Sequence, residues 1–242
     1  MILVGSFSVF NSFSQSDFFG KIVFISLFLL SLISWVVLIS KIRISKKTKK
    51  NSLFFEQNFE EEKGNLLNFD LAKPFSKDFN PYFTIYSSVK QKTLEILNKN
   101  KYFADPLNET EIFLSSSDIE LVESQVSAII SHESKQLEKN LFVLSTIITL
   151  APFMGLLGTV WGILVTFSGL QSNGLASANS SVLSGLSMAL GTTVFGLVVA
   201  IPALVGYNYL KSTIGDFSGD MELFSHNLMT KLEIQYRRVD KK

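Results

Sequence analysis

The chain has 242 residues, and its 22 Lys and Arg against 21 Asp and Glu leave a net charge of +1, so there is neither a basic field for nucleic acid nor an acidic solvating tail. It has no cysteine, which excludes a disulfide framework, a thiolate metal site and a Cys nucleophile; His132 and His226 stand far apart among charged residues, so neither a metal nor a cofactor is expected. From Asn140 to Leu210 there is no Asp, Glu, Lys, Arg or His, a patterning that a soluble core seldom shows and that membrane spans of about 18 residues or more do show.

The first apolar stretch, Ile22 to Ser40, has 19 residues, about 28 Å of helix at ~1.5 Å per residue, enough to span a bilayer. A cleaved signal peptide is the rival reading. Against it, residues 1–16 carry no positive side chain, the apolar run is long, and no small-x-small cleavage site follows. Lys41, Arg43, Lys46, Lys47, Lys49 and Lys50 come directly after the span, whereas only Asp17 and Lys21 flank its start. By the positive-inside rule the N-terminus is outside and the chain after residue 41 is cytoplasmic.

Residues 41–139 read as a small helical cytoplasmic domain with turn signals at Lys73-Pro74, Asn80-Pro81 and Asp105-Pro106. Towards its end Ile119, Val122, Val126, Ile129, Ile130, Leu137 and Leu141 recur on one helical face. The pattern predicts a helix capped near Ser117 or Asp118 that runs straight into the membrane. Leu141 to Leu170 is a second span of about 45 Å at ~1.5 Å per residue, so it must tilt or project into the cytoplasm. A polar, small-residue loop is expected from Gln171 to Ser181, followed by a third span from Val182 to Leu210, closed by Lys211. Beyond it Ile214, Phe217, Met221, Phe224, Leu228, Leu232, Tyr236 and Val239 form a stripe that predicts an amphipathic C-terminal helix over 212–242, either continuing the span or lying on the membrane surface. The expected fold is an all-α membrane protein with three transmembrane helices, the second and third extended into the cytoplasm, and a small helical cytoplasmic domain. The segments are 1–40, 41–139, 140–211 and 212–242.

Small residues concentrate in the second and third spans. Gly155, Gly158 and Gly162 share a flank of one helix, while Gly185, Ala189, Thr192 or Thr193, Gly196, Ala200 and Ala203 step along the other. Such tracks let helix backbones approach closely in lipid, and packing within the chain is the plain reading for most of these glycines. Ser145, Thr159 and Thr166 share a second-span face, with Pro152 at the remaining position of the repeat, and Thr192 and Thr193 add hydroxyls in the third. A membrane threonine can satisfy itself on the preceding-turn carbonyl, but a face of hydroxyls also suits a polar, water-accessible lining. Pro152 and Pro202 remove backbone hydrogen bonds and are expected to shape their helices.

Proton transfer at membrane depth needs a titratable group, and these spans contain none, so any protonatable carboxylate must arrive on another chain. Enzyme readings fail for the same reason. Ser168 has no intramembrane base to activate it, paired intramembrane Asp are absent, and no phosphate loop occurs. Asn108-Glu-Thr110 matches a glycosylation sequon by chance.

Ala151-Pro-Phe-Met-Gly-Leu-Leu-Gly-Thr-Val-Trp-Gly-Ile163, then Gly185-Leu-Ser-Met-Ala-Leu-Gly-Thr-Thr-Val-Phe-Gly-Leu-Val-Val-Ala-Ile-Pro-Ala203 and Tyr207-Asn208, resemble the corresponding spans of the TolQ/ExbB/MotA proton-channel family. The first helix ending in Ser34-Trp35 and the Leu137-Glu-Lys-Asn approach are similar in outline. The short N-terminal part looks more like TolQ than ExbB, and the lack of a fourth span argues against MotA. The resemblance implies a ring, in known members a pentamer, whose second and third helices surround the transmembrane helices of a TolR/ExbD-like partner bearing the proton-carrying Asp, with a TolA/TonB-like protein as a further partner. It places Thr159 and Thr193 on the pore wall, and Thr166, Thr192 and Met188 are expected to line the pore with them. Where many members have a Glu on that wall, this chain has Met188. The competing reading is a passive assembly scaffold that holds a partner without passing protons.

Overall fold

The computed structural model describes residues 13, 17–61, 66–68, 79–103 and 113–237, with the side chains of 172–181 and 184 outside the description. Among these residues every regular element is helical: α1 (Phe18–Glu61), a 3-10 turn (Leu66–Asn68), α2 (Pro81–Phe103), α3 (Ser116–Glu138) and α4 (Leu141–Tyr236). Three stretches are long and apolar enough to cross a bilayer, one in α1 and two in α4, Leu141–Gln171 and Gly185–Tyr236. The protein is an all-α membrane protein. The turn signals at 73–74 and 105–106, the sequon at 108–110 and the tail beyond Arg237 lie outside the described residues.

The chain divides into two compact units, Met1–Ile42 with Asn140–Leu210, and Arg43–Lys139 with Lys211–Lys242. In the first, apolar unit, α4 doubles back on itself. Gly155 lies against Thr192 and Thr193, Gly162 against Gly185 and Ala189, and Gly196 against Ala151, so the pairing is antiparallel and the two stretches form a hairpin. We call them the outgoing arm and the returning arm. Helical turns run through 172–181, where a loop was expected, and continue past Pro152 and Pro202. On this hairpin α1 packs through Val23 and Leu27, which join Ile147, Ala151, Val199, Ala200 and Ala203 in one buried cluster. Gly206 leaves room for Leu38.

In the second, polar unit the tail of α1 and the end of α4 pack with α2 and α3 around aromatic rings. Phe55 is fully buried among Phe59, Phe83, Tyr86 and Phe224, at centroid separations of 6.2, 5.9, 5.8 and 6.3 Å. Tyr82 stacks on Phe224 at 4.4 Å and on Phe217 at 5.9 Å. Of the stripe read from sequence, Ile214, Phe217, Met221, Phe224, Leu228 and Leu232 are buried and Tyr236 is half-buried, while Val239 lies outside the described residues, so that face packs on the protein itself. Polar contacts pin the periphery: Lys49 pairs with Asp220 at 3.0 Å, the Tyr86 hydroxyl donates to Leu66 O at 2.8 Å, and Leu114 N donates to Tyr236 O at 2.8 Å.

Two expectations about α3 need correction. Its N-cap is Ser115, with Asp118 at the third helical position completing a capping box, so Ser117 and Asp118 lie inside the helix. Burial pulls the Asp118 carboxyl up, but the hydrogen bonds to Ser115 and Asn100 and the charge of Lys99 outweigh it and hold the group below its ordinary value. Nor does α3 run straight into α4. Lys139 leaves helical geometry and Asn140 takes a left-handed φ of 72°, a conformation that Asn tolerates better than most residues, before α4 starts at Leu141. On the buried stripe of α3, between Ile130 and Leu137, stands Glu133, 4% exposed, with Oε2 lacking any partner. Burial pushes its carboxyl above the ordinary value, against a smaller opposing pull from His132.

Candidate functional site

The hairpin seam of the apolar unit is built from residues that have almost no side chain. A Cβ on Gly155 would stand 2.9 Å from Thr192 O and 3.0 Å from Thr193 Cα. One on Gly196 would stand 2.6 Å from Ala151 O, and one on Gly162 2.7 Å from Gly185 O. These are backbone atoms and cannot rotate away, so glycine is what lets the arms come this close. Gly158 receives the Thr192 side chain and Gly185 receives that of Thr166. Ala189, Ala200 and Ala203 complete the buried track.

Close approach brings hydroxyls and carbonyls of the two arms together. Thr159 Oγ1 lies 3.1 Å from Ala189 O across the seam and 3.3 Å from Gly155 O on its own arm. Thr193 Oγ1 lies 3.2 Å from Gly155 O across the seam and 3.5 Å from Ala189 O. The two hydroxyls also hydrogen-bond to one another, and either can be the donor. Thus two rotatable O–H groups share two carbonyls and each other, and the direction of donation can reverse without movement of any heavy atom. Both side chains are half-buried.

The other hydroxyls differ. Thr192 is fully buried and donates to Ala189 O at 2.9 Å, with Gly155 O at 3.3 Å. Thr166 donates to Gly162 O at 2.7 Å, one turn back on its own arm. Ser145 is half-buried and supplies a carbonyl to the Thr149 hydroxyl. Sequence spacing grouped Ser145, Thr159 and Thr166 on one face; of these, Thr159 is the one whose hydroxyl bonds across the seam.

Met188 is 2% exposed, and a Cβ on Gly20 of α1 would stand 2.5 Å from its Cε, so the thioether packs into the space that glycine leaves. That contact leads to a group which sequence reading passed over. Asp17, just before α1, accepts from Gly20 N through Oδ1 at 2.9 Å and from Trp161 Nε1 through Oδ2 at 2.8 Å, while the Phe19 ring lies 4.3 Å from the Trp161 ring. An Asp three residues ahead of a helical N–H is a recognisable cap signal; its bond to an indole 144 positions away is not.

A family model described as the MotA/TolQ/ExbB proton channel family matches residues 96–223. The biopolymer transport protein ExbB of Salmonella typhimurium is 30% identical over 223 residues, which cover 88% of this chain and 82% of that one. ExbB of Aquifex aeolicus is 43% identical over 88 residues, 36% of this chain and 59% of the relative. The Tol-Pal system protein TolQ of Haemophilus influenzae is 24% identical over 229 residues, 92% of each.

Proposed function

Because this chain belongs to the MotA/TolQ/ExbB proton channel family, we propose that it is the helix-bundle subunit of an inner-membrane motor driven by the proton-motive force. Several copies, five by analogy with the family, enclose the transmembrane helix of a TolR/ExbD-like single-span partner whose Asp carries the proton, and a TolA/TonB-like protein takes up the work. Residues 1–40 and 140–211 occupy the membrane, with the N-terminus periplasmic, and residues 41–139 and 212–242 are cytoplasmic, following the basic cluster Lys41 to Lys50.

The observation that carries the proposal is the Thr159–Thr193 hydroxyl pair, held across the seam in an arm-to-arm contact that contains no titratable side chain. Hydroxyls donate and accept hydrogen bonds but do not hold a proton near neutral pH, so they suit the wall around a carboxylate supplied by another chain. On this reading Thr159 and Thr193 line the passage, Thr166, Thr192 and Met188 back it, Gly155, Gly158, Gly162, Gly185 and Gly196 set the spacing, and Pro152 and Pro202 shape the arms. Met188 brings no carboxylate, so proton carriage rests on the partner's Asp.

Proton flux into vesicles carrying the reconstituted complex tests this. Removal of the partner's Asp abolishes flux, and Thr159→Val or Thr193→Val lowers it about tenfold while the ring stays assembled, the effect expected of one lost polar contact in a low-dielectric site. Flux that is unchanged in both variants removes the pore assignment. Wild-type flux no greater than that of empty vesicles favours the scaffold reading.

A further inference from the structure

Met1–Ile42 and Asn140–Leu210 together carry three charged side chains, Asp17, Lys21 and Lys41, so Asp17 is the sole carboxylate that this chain brings to the apolar unit. Its two oxygens have different partners. Oδ1 holds the first turn of α1 through Gly20 N, and Oδ2 holds the indole N–H of Trp161 on the outgoing arm. Each bond is charge-assisted, and the first also lies at a helix N-terminus, where negative charge is favoured. An indole N–H away from water needs an acceptor, and here Asp17 supplies it.

Trp161 is two residues beyond Thr159, and Met188 one residue before Ala189, whose carbonyl lies beside the Thr159 hydroxyl. Asp17 and Gly20 therefore grip both arms close to the hydroxyl pair: the outgoing arm through Trp161, two residues from Thr159, and the returning arm through Met188, five residues from Thr193. The Phe19 ring packs against the indole at 4.3 Å between centroids. A slip of the outgoing arm at Trp161 would carry Thr159 away from Thr193, since both residues ride on one turn of a helix.

We propose that Asp17 is a positioning residue for the hydroxyl pair, acting through its hydrogen bond to the Trp161 indole to hold the two arms in the register that joins Thr159 to Thr193. The functional consequence rests on the proposed proton-passage reading; the latch itself does not. It touches no transported proton.

The protein has two tryptophans, so Trp35→Phe leaves Trp161 as the only indole emitter. In the full-length Trp35→Phe protein in lipid nanodiscs at fixed neutral pH, the Trp161 emission maximum should move on Asp17→Leu, which takes the acceptor away from the indole N–H, and stay close to the parent's in Asp17→Asn, whose amide oxygen can still accept. An emission maximum that Asp17→Leu leaves unchanged, or that Asp17→Asn moves as far as Asp17→Leu does, overturns the latch whatever the transport result.

In proteoliposomes containing the partner, Asp17→Leu and Trp161→Phe should each lower proton flux about tenfold and the double variant no further, with Asp17→Asn recovering part of the loss because its amide oxygen can still accept from the indole. Losses that multiply in the double variant, or an Asp17→Asn no better than Asp17→Leu, overturn the positioning role. Wild-type vesicles without flux would sink the transport reading, and the latch would then stand or fall on the Trp161 emission.

Discussion

The two units of this protein are built inside out with respect to each other. In the polar unit the large rings are inside, with Phe55, Tyr86 and Phe224 buried against one another and charged side chains outward. In the apolar unit the seam between the two arms is lined by Gly, Ala and Thr, while Val160, Leu164, Phe167 and Ile201 are 58–66% exposed. Water explains the difference. Where water surrounds the fold, burying aromatic area drives cohesion; where lipid does, a side chain gains little from leaving the surface, and cohesion comes from close backbone packing and interhelical hydrogen bonds. The same amino acid should therefore carry opposite weight in the two units.

The largest expected effect is in the aromatic core. Phe55→Ala removes a ring that meets four others and should cost about 3–5 kcal/mol, read as an early-melting transition in thermal unfolding followed by circular dichroism. A loss below ~1 kcal/mol would show that this core does not hold the unit together. Next comes the seam, where adding a methyl should hurt as removing a ring does in the other unit. Gly155→Ala places a Cβ against the Thr192 carbonyl and Thr193 Cα and should cost roughly 1–3 kcal/mol in the same thermal melt, with the Thr159–Thr193 contact loosened.

Much of this contrast was legible in the sequence. The charge-free run, the small-residue tracks and the apolar stripe after Lys211 located the spans and the C-terminal helix, because each is a periodic pattern that one sequence displays. The threonines of the seam were likewise visible, but not which of them face across it: Thr159 and Thr166 share a heptad position, yet Thr166 bonds its own arm and Thr159 bonds the other. The break at Asn140 left no mark in hydropathy, since one left-handed residue turns the chain without altering the apolar pattern. Asp17 with Trp161, and Gly20 with Met188, were out of reach because a contact between distant positions has no periodic signature. Glu133 was hidden by its company, a carboxylate in a stripe whose other members are apolar.

Glu133 gives the third test. It breaks the polar unit's own rule by placing an unpartnered carboxyl oxygen inside. Its folded-state value is raised above the ordinary 4.5, so the folded protein binds a proton more tightly than the unfolded chain does. Stability from this group is therefore fully present below pH 4.5 and is lost as pH rises through the raised value. Glu133→Leu should flatten that slope and add about 1–2 kcal/mol at neutral pH, as removal of a buried unsatisfied group does. Denaturant unfolding of the two proteins at acid and neutral pH checks both statements, and a variant that keeps the wild-type slope would assign it to another group.

The smallest expected effect is the one that most directly compares the units. A Cβ on Gly215 or Gly219, on the part of α4 that belongs to the polar unit, would meet nothing within 4 Å. These glycines serve no close approach, and within a helix each costs backbone entropy that alanine does not, about 0.5–1 kcal/mol. Gly215→Ala and Gly219→Ala should therefore each raise stability by about that amount, the opposite sign to the same substitution at Gly155 on the same helix. Parallel melting curves of the three variants measure this. If all three changes shift the midpoint in one direction, helix propensity alone governs the glycines of α4, and the seam is not held by close approach of its backbones.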